Sequence, residues 1–585
     1  MKRTTKNDDA LMLQLIPFIL VITTVLKILL IPAYKSTDFD VHRNWLAITR
    51  NLPIQQWYFD SVNGTTVHTL DYPPSFAYFE YFLSKKNPLT THLIERGILN
   101  WNCLALLGDH ENDIDIIGYD CVVFQRCTVI LFDVVFWIGC FMICQSFHFK
   151  QFYEIRKDKD NNMEVQIVSS AQKTKIAFIL LVTNPGLILL DHVHFQYNGM
   201  LIGILLGSIA MFLKSIQVEG VIQNGNKSKH YSWMTKSKRN DLVGAILFAL
   251  LLTFKHMYLT LAPLYFFYLL RRFCFVRGEG NGSLQFSLSS LILLGGLVLI
   301  TLIGPFVPFF RHGIKKQMMQ ILSRLFPWQR GLCHDYWAGN VWALYLGLEK
   351  VMKVSLRVAD IILTKIGVGS IDVGTISFPI IGPKTAAILL LVGLSPAFIC
   401  GWRVATSDSR YDLRHEGLLF CFIFSALSSF MLAYHVHEKA IMTAIVPMTV
   451  LSVKSKENAR LFLRLSTVGH FGLLPLLYKS TELGMKVCLN VSYLVWCLYL
   501  FQGIFHQSNE NNPSRRGGPL VTMWDKIGLV LMSVLLVFGE IVHRLTQIEK
   551  LEFLPLMLVS IFCAVGLLSC WIEVGKMMVS KCFTT

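Results

Sequence analysis

Charged residues are scarce in this sequence. Asp, Glu, Lys and Arg make up 16% of the 585 residues, against about a quarter in soluble domains. Hydrophobic residues make up 53%, and apolar runs of about 20 residues, long enough to cross a bilayer, recur from end to end. The scarcity of charge therefore excludes a soluble globular protein and predicts an all-α polytopic membrane protein.

The sequence also lacks the features of three other functional classes. No CxxC pair occurs among its 14 cysteines, which argues against a zinc or redox centre. No basic stripe is interleaved with aromatics, so we expect no nucleic-acid partner. The net charge of +16 comes mostly from Lys and Arg in short loops, which orient membrane proteins. No polar segment is long enough for a nucleotide-binding α/β domain.

The basic clusters and apolar runs predict about 14 transmembrane helices with both termini in the cytosol. The predicted segments are a cytosolic N-terminus (1–10), a first span (11–34), a first long polar loop (35–116), spans 2–7 (117–304), a second long polar loop (305–385), spans 8–14 (386–575) and a cytosolic tail (576–585). Segment 341–351 is treated as an amphipathic, non-spanning piece. The polar motifs then all fall on the side opposite the basic clusters.

A short polar stretch follows the first apolar run, and two interpretations of it remain open. Asp38 and Asp40 could stabilise the start of a helix that Thr37 caps. Alternatively, the spacing of Asp38 with His42 and of Asp40 with Arg43 places each pair on one helix face. Acid, imidazole and guanidinium groups at a membrane surface would form a site suited to a phosphorylated sugar.

Two pairs of histidines lie where predicted spans reach the same side. The pairs are His192 with His194 and His435 with His437. Histidines two residues apart do not share a helix face, so joint metal binding would need an extended backbone. We therefore expect these histidines to bind anions or hydroxyls, with Lys439 or Arg330 as phosphate contacts.

Several other residues could link separate segments or contact a sugar. Arg126 and Asp133 lie inside predicted span 2, where charged residues are either functional or paired with other spans. Cys103 and Cys333 fall in polar segments on the same side, where a disulfide between them is possible. Aromatics that could stack on sugars or lie at the membrane interface are Trp57, Tyr58, Trp328 and Trp337.

Several motifs, in the same order, resemble those of the endoplasmic-reticulum glucosyltransferases that use dolichyl-phosphate glucose. They are TDFDVHRNW (37–45), LPIQQWY (52–58), LDYPP (70–74), HVHFQYNG (192–199) and LFPWQRGL (325–332). The resemblance covers most of the first 450 residues. Two sibling enzymes of this family add the first and the second glucose to a lipid-linked oligosaccharide. The sequence CHDYW (333–337) and Thr37 before Asp38 look like the second-glucose enzyme.

The resemblance implies a GT-C-type transmembrane bundle in the endoplasmic-reticulum membrane, with two long luminal loops and a luminal active site. The donor would be dolichyl-phosphate glucose. The acceptor would be a dolichyl-diphosphate oligosaccharide, Glc1Man9GlcNAc2-PP-dolichol, extended through an α-1,3 bond with inversion. Asp38 would be the catalytic base, without a metal or other cofactor. Candidate substrate-binding residues are Asp40, His42, Arg43, Asp71, His192, His194, Gln196, Arg330, His435, His437 and Lys439.

Two alternative functions remain open at this point. The sibling activity would add the first glucose to Man9GlcNAc2-PP-dolichol. A transporter or scramblase of lipid-linked sugars would also contain many spans and intramembrane charges. Transporters commonly show two corresponding halves with broken spans, and no such repeat is seen in this sequence. The sequence therefore favours an enzyme.

Overall fold

The computed structural model of the chain is almost entirely helical. The structure describes residues 2–59, 68–106, 118–147, 170–224, 235–277, 284–367, 378–406, 411–506, 518–546 and 551–583. Its only strands in these ranges are β1 (Phe275–Arg277) and β2 (Leu284–Phe286), which pair antiparallel. The predicted all-α class is confirmed.

The described part of the chain contains 19 α-helices of eight or more residues. They are α1 (Lys2–Leu29), α2 (Thr37–Asn51), α3 (Pro74–Tyr81), α4 (Pro88–Glu95), α5 (Tyr119–Ser146), α6 (Ser170–Val182), α7 (Asn198–Asn224), α8 (Lys236–Phe254), α9 (Ala262–Leu269), α10 (Leu288–Ile303), α11 (Ile314–Leu325), α12 (Val341–Ile366), α13 (Pro383–Val404), α14 (Tyr411–Leu432), α15 (Met442–Ser452), α16 (Lys456–Phe471), α17 (Leu483–His506), α18 (Met523–Val537) and α19 (Leu554–Phe583). Short 3₁₀ and π segments join or extend many of them.

Nine helical stretches in the described ranges are long and apolar enough to cross a membrane. They are Tyr119–Ser146, Ala171–Val193, Asn198–Glu219, Leu288–Phe310, Pro383–Val404, Arg414–Leu432, Ser480–Phe505, Met523–Thr546 and Leu554–Phe583. The chain is therefore a polytopic membrane protein. The number of about 14 spans stays a prediction, because α15 and α16 have only 11 and 16 residues.

Burial separates central from peripheral helices. In Ala171–Val193 and in Arg414–Leu432, 94% of the most apolar stretch is buried inside the protein. In Leu288–Phe310 and Met523–Thr546 the share is only 6%, so these helices present nearly their whole apolar surface outward. A helix that is apolar all round and exposed is stable only in lipid.

Helices α5 and α7 cross at very short distance because glycines face each other. A Cβ atom at Gly139 would overlap the backbone of Gly203, and one at Gly203 would overlap the backbone of Val135 and Phe136. Small residues allow this close approach between membrane helices, where van der Waals packing drives association. The contact fixes α5 against the helix that begins at the candidate site.

The two polar segments predicted as loops are largely helical. The second contains α11 and α12, and the piece predicted at 341–351 extends through Ile366. The side chain of Asn340 caps α12 by accepting from the amides of Trp342 and Ala343 at 3.1 and 3.4 Å. The helix ends at Gly367, whose φ of 77° suits glycine. Amphipathic helices therefore cover the bundle on this side.

Cys103 forms a disulfide, but its partner is not Cys333, which the sequence left as a possible partner. Cys103 pairs with Cys121 across 18 residues, with their Cα atoms 5.3 Å apart, and Cys333 is free. Cys121 lies in the first turn of α5, beside the 3₁₀ segment Trp101–Leu104. The bond ties the end of the first polar segment to the bundle.

Candidate active site

Asp38 lies in the first turn of α2, at the edge of the bundle. The helix begins at Thr37, and its N-cap residue is Ser36, so Thr37 is not the cap. The hydroxyl of Ser36 makes no capping bond and instead donates to the carbonyl of His194. Asp38 and Asp40 still complement the positive end of the helix dipole. Catalytic and helix-stabilising interpretations of Asp38 are therefore compatible.

The turn before α7 brings a second polar segment to Asp38. A π segment, Ile188–Val193, ends the preceding span, and Phe195 then adopts a positive φ of 78°. A non-glycine residue holds this conformation only when its surroundings enforce it. The ring of Phe195 is fully buried and packs against Phe39 and His42 at centroid distances of 5.2 and 5.4 Å. Packing thus fixes the turn against α2.

Three side chains from two distant segments converge on one oxygen of Asp38. Gln196 Nε2 donates to Oδ2 at 2.6 Å, and His194 Nε2 lies 3.1 Å from the same atom. The ammonium of Lys439, from the 3₁₀ segment Glu438–Ile441, also donates to Oδ2. No hydrogen bond to Oδ1 is recorded within the described residues. The carboxylate is held by one oxygen and leaves the other open to a substrate.

The charge of Asp38 is stabilised by these neighbours. Burial alone would raise the pKa of the Asp38 carboxyl, but the charge of Lys439 and the hydrogen bond from His194 hold it well below its usual value. The side chain of Asp38 is 27% exposed and that of Lys439 is 10% exposed. Asp38 is therefore an ionised, partly accessible carboxylate at neutral pH.

A buried polar network supports Gln196 from behind. The side-chain amide of Asn198 donates to Gln196 Oε1 at 2.9 Å and to Asp191 Oδ1 at 3.0 Å. Lys255, which follows α8, donates to Asn198 Oδ1 at 3.1 Å and lies 5.0 Å from the ring centre of Tyr72. Sequence reasoning missed Lys255 and Asn198 as site residues. The signal for Asn198 was its place within the motif HVHFQYNG (192–199), and the signal for Lys255 was a charged residue at the end of an apolar run.

Arg126 anchors the same turn from inside α5. Its guanidinium donates to the carbonyl of His192 and, at 3.0 Å each, to those of Tyr34 and Val193. The side chain is 2% exposed. Arg126 therefore ties the chain leaving α1 to the turn that carries His194, which explains this charge at membrane depth.

Asp133, about two helical turns further along α5, forms a second intramembrane link. Lys27 donates to Asp133 Oδ2 at 2.7 Å, and His192 Nε2 lies 3.2 Å from the same oxygen. The side chains of all three are at most 6% exposed. Pairing between spans, rather than a transport path, accounts for these charges.

Four of the predicted substrate-binding residues have partners other than Asp38. His192 pairs with Asp133, and the other three lie on α2. Arg43 is buried and donates to the carbonyl of Ala105 at 2.9 Å. His42 lies 2.8 Å from the buried Glu80. Asp40 lies 3.7 Å from the ammonium of Lys35. Helical spacing placed these groups on shared faces, but α2 packs those faces against the surrounding segments.

The other predicted residues, Asp71, Arg330, His435 and His437, make no hydrogen bond or ion pair with Asp38 among the described residues. Arg330 Nη1 lies 3.9 Å from Asp71 Oδ2, and both side chains are partly exposed. His437 and His435 lie beside His334, with ring centres 3.5 and 3.7 Å from that of His334. His435 is held at a positive φ of 56° and its Nδ1 lies 3.1 Å from the carbonyl of Gly331. This arrangement joins the 325–337 segment to the segment that carries Lys439.

These features define a class: a polytopic helical membrane protein with an ionised carboxylate and lysine ammonium groups at one end of its bundle. The ALG6, ALG8 glycosyltransferase family model matches residues 23–574 of the chain. A mouse (Mus musculus) protein named dolichyl pyrophosphate Glc1Man9GlcNAc2 alpha-1,3-glucosyltransferase is 36% identical, over 94% of this chain and 92% of its own length. Proteins of the same name from Arabidopsis thaliana and Neurospora crassa are 32% and 31% identical, over 98% and 94% of this chain and 98% and 96% of their own lengths. The chain belongs to the ALG6, ALG8 glycosyltransferase family.

Proposed function

We propose that the chain transfers glucose from dolichyl-phosphate glucose to a monoglucosylated dolichyl-diphosphate oligosaccharide. The new linkage is α-1,3, and the donor's β configuration is inverted. One observation carries the proposal: Asp38 is an ionised carboxylate with one oxygen held by three side chains and the other open. The names of the relatives supply the acceptor and the linkage.

An inverting transfer needs one carboxylate in a single displacement. The acceptor hydroxyl oxygen attacks C1 of the donor glucose while the bond from C1 to the phosphate oxygen breaks. Asp38 Oδ1 takes the hydroxyl proton, and dolichyl phosphate leaves with the bonding electron pair. Because the pKa of Asp38 is low, the proton moves only as the attack makes the hydroxyl strongly acidic.

Cationic side chains stabilise the departing phosphate in this mechanism. The ammonium groups of Lys439 and Lys255 and the guanidinium of Arg330 supply positive charge around Asp38. Pre-positioned cations stabilise developing negative charge strongly at sites with little water. We infer that these groups perform the role for which many sugar transferases use a metal ion.

The proposed reaction takes place on the luminal side of the endoplasmic-reticulum membrane, with both termini in the cytosol. The distribution of basic clusters supports this orientation, since Lys and Arg favour cytosolic loops. The candidate site lies on the opposite side, which also carries the Cys103–Cys121 disulfide. Disulfides form in oxidising compartments such as this lumen.

The direct test compares two acceptors that differ by one glucose. The purified chain in lipid nanodiscs receives labelled dolichyl-phosphate glucose with either the unglucosylated or the monoglucosylated lipid-linked oligosaccharide. We expect transfer only to the monoglucosylated acceptor, with an α-1,3 linkage in the product. Transfer only to the unglucosylated acceptor would reassign the chain to the sibling activity, and transfer to neither would contradict the proposal.

A further inference from the structure

A cavity of about 840 Å³ lies beside the candidate active site. It is open on one side and is lined by residues of the segment 332–337, of α12, and of the segment 551–557 at the start of α19. Its volume falls within the about 300–1,000 Å³ typical of ligand pockets. The residues that matter for its chemistry are His334, Asp335, Trp337, Lys350, Glu552 and Phe553.

The cavity adjoins Asp38 through a pair of histidines. The ring of His334, which lines the cavity, stacks on that of His437 with centres 3.5 Å apart. His437 lies two residues before Lys439, whose ammonium contacts Asp38. The Nε2 atom of His334 is buried and has no hydrogen-bond partner among the described residues. One stacked pair of imidazole rings therefore separates the cavity from the segment that carries Lys439.

Charge excludes phosphate groups from this cavity. Asp335 and Glu552 contribute two negative charges to its lining, and Lys350 contributes one positive charge. His334 is neutral, because burial and then the neighbouring His437 lower its pKa to about 3. A diphosphate would face a net negative wall. Leucine and methionine side chains make up much of the remaining lining, so a neutral ligand with both an apolar face and hydroxyl groups matches the cavity.

Aromatic rings add the second feature that sugar binding requires. Trp337 and Phe553 line the cavity, and Phe553 is 60% exposed. The apolar face of a pyranose ring packs on an aromatic ring, while its hydroxyls donate to carboxylates and exchange hydrogen bonds with imidazole nitrogens. The cavity contains both kinds of group, with the Trp337 indole 5.8 Å from the ammonium of Lys350.

We propose that this cavity binds neutral hexose residues of the oligosaccharide acceptor outside the arm that receives glucose. The inference deepens the proposed function and rests on it for the identity of the glycan. The reacting hydroxyl must reach Asp38, while the cavity lies beyond the His334–His437 pair. A branched acceptor reaches both places at once, and the cavity then adds affinity without taking part in the displacement.

The first test measures binding without catalysis. A free, lipid-free high-mannose oligosaccharide is added to the chain in nanodiscs, and binding is followed by ligand-observed NMR. We expect the wild type to bind, Trp337→Ala to lose about tenfold in affinity, equivalent to about 1.4 kcal/mol, and Asp335→Asn to weaken binding in the same direction. Trp524→Ala serves as the matched control, because Trp524 is 80% exposed on α18 and outside the cavity. Equal binding by wild type and Trp337→Ala would overturn the inference.

The second test separates the cavity from the reaction centre. With the full branched acceptor, Trp337→Ala should raise the acceptor KM about tenfold and leave kcat and the donor KM unchanged. This result is expected when the lost interaction is equally strong in the ground state and in the transition state. With a lipid-linked acceptor that contains only the glucosylated arm, wild type and variant should behave alike. An equal rise in KM on both acceptors would overturn the inference. Glycan binding without any glucose transfer would overturn the proposed function and leave the cavity assignment standing.

Discussion

Replacing Asp38 by asparagine removes the proton-accepting carboxylate and keeps the shape of the side chain. The asparagine oxygen can still accept from Gln196 and His194, which lie 2.6 and 3.1 Å from Oδ2 in the native chain. The geometry of the turn therefore survives while the base is lost. General-base catalysis contributes about 10²–10⁴-fold, so we expect kcat to fall by this factor, equivalent to about 3–5 kcal/mol of activation free energy.

The same substitution leaves Lys439 without its counter-charge. Removing one partner of a fully buried ion pair typically costs about 3–5 kcal/mol. Because Asp38 is 27% exposed, we expect a smaller loss of stability. The double variant Asp38→Asn/Lys439→Met removes the unpaired cation as well. It should regain thermal stability relative to Asp38→Asn and remain inactive.

The two effects are measured separately on protein in nanodiscs. Single-turnover transfer of labelled glucose gives the rate, and thermal unfolding gives the stability of each variant. A folded Asp38→Asn protein with near-normal kcat would refute the catalytic role of Asp38. Recovery of activity in the double variant would show that the single substitution acted only through stability.

Three further perturbations test other parts of the structure. Arg126→Lys cannot span the four carbonyls that Arg126 contacts, so we expect kcat to fall at least about tenfold with the donor KM less affected; unchanged kinetics would contradict its positioning role. Cys103→Ser should lower stability by about 3 kcal/mol in thermal unfolding, and a reductant should destabilise the wild type but not this variant. EDTA should leave glucose transfer unchanged, and a loss restored by Mn²⁺ would contradict the metal-free mechanism.

The fold class could be predicted from composition and apolar runs alone, because helices and closed barrels are the only structures that satisfy their backbone hydrogen bonds inside a bilayer. The boundaries of individual helices could not be predicted in this way. The amphipathic piece predicted at residues 341–351 continues as a helix to Ile366, since its charged residues lower the mean hydropathy without breaking the helical pattern. The disulfide partner of Cys103 could not be found from the sequence either, because Cys121 lies at the start of an apolar run, where a cysteine resembles a small hydrophobe.

The candidate site was predicted in part. Asp38, His194, Gln196 and Lys439 were all singled out, and the structure brings them together. Their convergence could not be derived from spacing, because it depends on tertiary contacts between distant segments. The same limitation affected Arg43, whose position on the helix suggested a partner in Asp40. Packing of α2 directs it to the carbonyl of Ala105 instead.

The separation of Asp38 and Lys439 along the chain sets the time at which the enzyme can first become active. The two residues are 401 positions apart. At a synthesis rate of about 5–20 residues per second, roughly 20–80 s pass between their appearance at the ribosome. Throughout this interval Asp38 lacks the ammonium of Lys439, and the site is incomplete. A newly inserted N-terminal portion therefore cannot carry out the proposed transfer, and activity begins only after most of the bundle has entered the membrane.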